Sequence, residues 1–134
     1  MNAGNAFFDS NVLIYLMASG EKPARARELL IGGGTVSVQV LNEIAAVAHR
    51  KIRLEWDAIR EVLAAVRFAC TVHPLSLSTH DRGLTIAQRL RFSVYDSMIV
   101  SSALEAGCTT LFSEDLQHGQ RVEDLTIRNP FLNL

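Results

Sequence analysis

FFDSNVLIYL, residues 7–16, joins two apolar runs through Asp9, Ser10 and Asn11. The aromatic pair before Asp9 is β-prone, and a helix starts near Val12, so the chain passes from strand to helix at a carboxylate. Asp and Asn are good helix N-caps, and capping alone accounts for an acid at such a place. A second use depends on whether other acids reach the same edge.

The rest of the chain repeats the pattern. Residues 6–8, 36–38, 71–73, 110–112 and 125–128 are short β-prone runs, and helical patterns separate most of them. Residues 55–69 carry Trp56, Ile59, Leu63 and Val66 on one helical face, and residues 39–51 carry Val40, Ile44 and Val47 likewise. Residues 95–106 are apolar almost throughout, which predicts a helix well buried against a sheet, with Gly107 as its stop. Gly32, Gly33 and Gly34 close one helix and open a strand. Strand and helix in alternation imply right-handed crossovers and one α/β domain over residues 1–134: a mainly parallel sheet of about five strands covered by helices on both faces. Ligands of such sheets bind beyond the carboxyl ends of the strands.

Composition agrees with a single ordinary domain: 134 residues, 49% hydrophobic and 20% charged. The net charge of −1 lacks the basic excess of a protein that holds nucleic acid by charge alone. Two cysteines, Cys70 and Cys108, make neither a disulfide framework nor a zinc site and are expected in the core. The apolar runs fall short of the ~20 residues of a membrane span, and no signal segment opens the chain, so a soluble cytoplasmic protein is expected.

Four acids recur at strand ends or in the helical turns that follow. Asp9 ends the first strand; Glu43 stands alone among Val40, Leu41, Ile44 and Ala45; Asp96 lies in the first turn of the most apolar helix, behind the capping residue Ser93; Asp115 follows the strand at 110–112. Each has a plain structural explanation, as cap, solvated face or turn. Together they conflict, because two unit charges ~4 Å apart repel by about 4 kcal/mol at an effective dielectric near 20. A divalent cation removes the conflict, and a carboxylate-rich set without His or Cys selects Mg²⁺ or Mn²⁺ over zinc. Such sites handle phosphate esters by activating water and stabilising the leaving oxygen. Asn11 and Ser113 are placed to orient a carboxylate or bond the ion's waters.

The stretches FFDSNVLIYL, SVQVLNEI and YDSMIVSSALEAGCTTLFSEDLQHG together resemble the PIN-domain ribonucleases, in particular the VapC toxins of bacterial toxin–antitoxin pairs. The resemblance runs over nearly the whole chain, and Asp9, Glu43, Asp96 and Asp115 match the family's acids in order. Glu114 is a second candidate for the last place, although the Ser-x-Asp spacing from Ser113 favours Asp115. The resemblance implies a Mg²⁺- or Mn²⁺-dependent endoribonuclease acting on structured RNA such as transfer or ribosomal RNA. It also implies a homodimer and a small cognate antitoxin as inhibitor.

Rival readings fare less well. A phosphoacceptor domain wants a paired acid at the first strand and a late lysine, yet no lysine follows Lys51. A haloacid-dehalogenase-like phosphatase wants Asp where Asn11 stands. The stronger alternative is a PIN scaffold without catalysis, serving as an RNA-binding or protein-interaction module. His49, His73, His80 and His118 are scattered and no catalytic role is expected of them, whereas Arg82, Arg89 and Arg91 are candidates for RNA phosphates.

Overall fold

The computed structural model describes residues 5–134. Among them the order is β1 (Ala6–Phe8), α1 (Ser10–Leu13), α2 (Glu21–Ile31), β2 (Gly34–Ser37), α3 (Val38–Val47), α4 (Trp56–Ala69), β3 (Cys70–His73), α5 (Leu77–Leu90), α6 (Val94–Glu105), β4 (Thr110–Phe112), β5 (Arg121–Val122) and β6 (Leu125–Arg128). A 3-10 turn, Ile14–Met17, follows α1, and a π-helical turn, Ala48–Ile52, extends α3. The six strands form one sheet in the order β3-β2-β1-β4-β6-β5. Every pairing is parallel except that of β5 with β6.

The five expected strands are all present, and β5 is the addition. Its two residues are too few to show alternation, and pairing of Arg121 with Thr126 and Val122 with Leu125 creates it. The expected strand at 36–38 instead begins at Gly34 and ends at Ser37, because the Ser37 hydroxyl accepts from the Val40 amide and caps α3 one residue early.

Phe7 and Phe8 are both wholly buried. Successive strand residues point to opposite faces, so β1 is covered on both sides and is the centre of the core. Leu111, Ile127 and Val36 extend that core across neighbouring strands, and Ile99, Val100 and Ala103 pack from α6. Cys70 and Cys108 are free and buried, as expected.

The chain builds β1, β2 and β3 outward on one side, then crosses through α5 and α6 to lay β4 on the other side of β1. The strand order therefore reverses between β1 and β4, the kind of switch point at which ligands bind. Gly34 is required for the β1–β2 approach: a Cβ there would lie 2.7 Å from the Ala6 carbonyl oxygen and 2.6 Å from the Phe8 ring. Gly34→Ala is expected to destabilise the protein by about 2–3 kcal/mol through overpacking against backbone that cannot retreat. Gly83→Ala meets the flexible Met98 side chain instead and is expected to cost less. Urea unfolding of the two variants checks the order.

Candidate active site

Asp9 lies one residue past β1, its amide donating to the Phe112 carbonyl on β4 at 2.9 Å. That bond locks the ends of the two central strands together. The side chain caps α1, with Oδ1 accepting from the Ser10 amide at 2.8 Å. Oδ2 accepts from the Ser113 hydroxyl at 3.0 Å and from Asn11 Nδ2 at 3.2 Å. The capping function and the site function thus occupy the same carboxylate. Asn11 also reaches Ser113 Oγ at 3.2 Å, while its Oδ1 receives the Glu114 amide at 3.0 Å. Asn11 and Ser113 orient Asp9 and tie the loop after β4 to the start of α1.

Glu43, half-buried on α3, accepts from the Ser10 hydroxyl at 2.9 Å. Asp96, in the first turn of α6, has its amide held by Ser93 Oγ at 3.1 Å, as the capping argument predicts. Gln39 Nε2 donates to the Tyr95 carbonyl at 3.1 Å and holds the start of α6 against α3. Ser10 and Gln39 were not singled out in the sequence, since a lone Ser and a helical Gln carry no signal until α1, α3 and α6 pack together.

The electrostatics join three of the acids. Burial pushes the Asp9 carboxyl up to about 7, the Ser113 and Ser10 bonds oppose the rise, and the charges of Glu43 and Asp96 add to it. Burial also raises Glu43, against the bonds from Ser10 and Gln39 and with the help of Asp96. Asp115 is exposed beyond β4. Its neighbour Glu114 is committed elsewhere, accepting from Tyr15 Oη at 2.7 Å and pairing with Lys22 Nζ at 2.6 Å. Burial would raise Glu114, but Lys22 and Tyr15 outweigh it and the net shift is downward.

Among the described residues no group of three or more His, Cys, Asp or Glu converges to liganding distance. The donor set still fits a hydrated Mg²⁺ or Mn²⁺, which keeps several waters and needs only one or two carboxylates, rather than a closed protein cage. Three mutually repelling acids, one of them buried and resisting ionisation, are the setting such an ion relieves. The histidines stay outside this group: His49 stacks on Trp56, His73 sits by Glu105 and His118 Nδ1 accepts from the Asn129 amide. Arg82 pairs with Glu123 at 2.9 Å, and Arg89 lines, with Arg121, a cleft between α5 and β5.

Asp9 lies at the switch point of the sheet, within electrostatic reach of Glu43 and Asp96, and it is at such points that α/β domains bind ligands. The sequence matches the PIN domain over residues 6–123, and the chain belongs to that family. A search of curated proteins gives no match. Similar solved structures include a toxin–antitoxin complex from Klebsiella pneumoniae, at 17% identity and TM-score 0.73, covering 94% of this chain and 98% of that one. VapBC2 of Rickettsia felis, bound to a promoter DNA fragment, gives 17% identity and TM-score 0.68 over 92% and 97%. The Mycobacterium tuberculosis toxin VapC20, described as cleaving the sarcin-ricin loop, gives 16% and 0.67 over 82% and 89%.

The Asp9 shift has a definite pH signature. A folded-state pKa of about 7 exceeds the ordinary Asp value, so the proton-linked contribution to stability is complete below pH ~4 and is lost as pH rises through about 7. In EDTA, the unfolding midpoint should fall between pH 5 and 8, and Asp9→Asn should flatten most of that fall. Denaturation at both pH values checks the slope; a wild-type slope no steeper than the variant's contradicts it. Ser113→Ala, which removes a donor to Asp9 Oδ2, is expected to weaken Mg²⁺ binding about 10- to 100-fold, measured by calorimetry.

Proposed function

We propose that this chain is a divalent-metal-dependent endoribonuclease that cuts structured RNA, such as transfer or ribosomal RNA, and is the toxin of a toxin–antitoxin pair. The observation that carries the reading is the electrostatic coupling of Asp9, Glu43 and Asp96 at the β1–β4 switch point of a PIN domain. VapC20, one of the similar structures, is itself described as an RNA-cleaving toxin.

In this reading Asp9 and Asp96 are the chief ligands of Mg²⁺ or Mn²⁺, with Glu43 and Asp115 completing the acidic set. The ion, when bound, supplies a nucleophilic water and positive charge for the leaving oxygen of an in-line displacement. The protein's own part is orientation. Ser113 and Asn11 fix Asp9 Oδ2, Ser10 holds both Asp9 and Glu43, and the Ser93 cap fixes the first turn of α6 that carries Asp96. Outside the pocket, Ile31 and Phe68 are 87% and 95% exposed, and Leu77 and Tyr95 are also open. Such apolar surface is what a small antitoxin and a second copy of the chain would cover. A cytoplasmic location belongs to the same reading; no helix among the described residues is long and apolar enough to cross a membrane.

The second reading, a PIN scaffold that binds without cutting, draws on the acids' lack of convergence to liganding distance. Incubation of total cellular RNA with the purified protein in Mg²⁺, Mn²⁺ or EDTA, beside Asp96→Asn, separates the two. Discrete cuts, abolished by EDTA and reduced at least about 100-fold in the variant, are expected. Intact RNA, with equal metal binding by both proteins, would make the acidic site wrong and favour the scaffold.

A further inference from the structure

Helical periodicity places Trp56 in the core, but the structure leaves it 53% exposed. Its ring stacks on His49, with centroids 4.3 Å apart and planes inclined by 19°. The cause lies in the π-helical turn Ala48–Ile52, which ends at Arg53 in the left-handed region at φ 61°. The Leu54 amide closes it on the Ala48 carbonyl at 3.0 Å. π-Turns and non-glycine residues in that region recur at functional sites. Here the turn brings His49 over Trp56 and opens a cleft of about 370 Å³ lined by His49, Arg50, Arg53, Leu54, Glu55 and Trp56.

The cations of this cleft have no visible structural employment. Among the described residues Arg50 and Arg53 form no ion pair, and Glu55 is the one acid in the lining. Arg50 follows Glu43 by seven residues, on the π-helical continuation of α3, so the cleft lies at the end of the helix that carries Glu43. Exposed aromatic rings beside unpaired arginines form a stacking platform with phosphate donors, the combination that binds single-stranded nucleic acid with little sequence preference.

We propose that this cleft is a nucleotide subsite for single-stranded RNA, in which an unpaired base stacks on the His49–Trp56 pair while Arg50 and Arg53 hold the flanking phosphates. It rests on the ribonuclease reading in one respect, that the strand held there is the one presented to the acidic pocket. An acidic peptide would satisfy the arginines but has no use for the open aromatic face.

Trp56 is the chain's only tryptophan, so its emission reports the site directly. Titration of Asp96→Asn in EDTA with a mixed-sequence single-stranded RNA should quench that emission saturably. An abasic strand of equal length should bind about tenfold more weakly and leave emission nearly unchanged. With labelled RNA followed by anisotropy, Trp56→Ala should weaken binding about tenfold, and Trp56→Phe should recover most of the loss. The double variant Arg50→Ala, Arg53→Ala should reduce the salt dependence of log affinity by about 1.4, two phosphates at ~0.7 each. Thermal melts confirm that each variant is folded.

Absence of quenching, or undiminished RNA binding by folded Trp56→Ala, overturns the subsite. Polyglutamate binding as tightly as RNA overturns it in favour of an acidic protein segment. Cleavage in Mg²⁺ is read in parallel: cutting with no dependence on Trp56 removes the subsite and spares the nuclease. Saturable quenching with total RNA left intact, and metal bound equally by wild type and Asp96→Asn, keeps the subsite and removes the nuclease.

Discussion

The carboxylate of Asp9 is the constraint on which the rest of the structure turns. It is buried, it ends the central strand, and its neighbours supply three donors from Ser10, Asn11 and Ser113. Those bonds join α1 to the loop after β4, while the Asp9 amide bonds β4 itself. Burial and two nearby acids nevertheless hold the carboxyl near neutrality rather than in the usual Asp range. Hydrogen bonds stabilise the ionised form only in part. A carboxyl so balanced is held as a neutral acid below about pH 7 and ionises above it.

The surroundings hold the acids apart without dispersing them. Ser10 donates its amide to Asp9 and its hydroxyl to Glu43, so one small residue spaces two carboxylates. Gln39 performs the corresponding task between α3 and α6 by binding the Tyr95 carbonyl next to Asp96. On the far side Lys22 and Tyr15 draw Glu114 into their own network and so limit the negative charge that the pocket must carry. A small number of polar bonds thus sets the charge around Asp9, and the apolar packing of β1 and β4 sets its position.

Local pattern was a reliable guide wherever a short segment carries its own physical signal. Ser93 as the cap before Asp96, the glycine break between α2 and β2, and the buried apolar helix α6 are all of this kind. Trp56 shows the opposite case. Its spacing from Ile59 and Val66 marks a core position, but the π-turn supplies His49 as its packing partner and leaves the ring half open. Periodicity assumes regular α-geometry on both sides of a contact, and one extra residue in a helical turn defeats it.

Sequence alone determined the alternation of strand and helix and the one-domain α/β class, because periodicity, caps and glycine breaks are local properties of the chain, and it singled out Asp9, Asn11 and Ser113, which the structure hydrogen-bonds together. Only the tertiary structure decided the β3-β2-β1-β4-β6-β5 order, the sixth strand, the pairing of Glu114 with Lys22 and the grouping of Asp9 with Glu43 and Asp96. Those features depend on contacts between segments tens of residues apart, whose geometry follows from packing both faces of β1 and not from any one stretch of sequence.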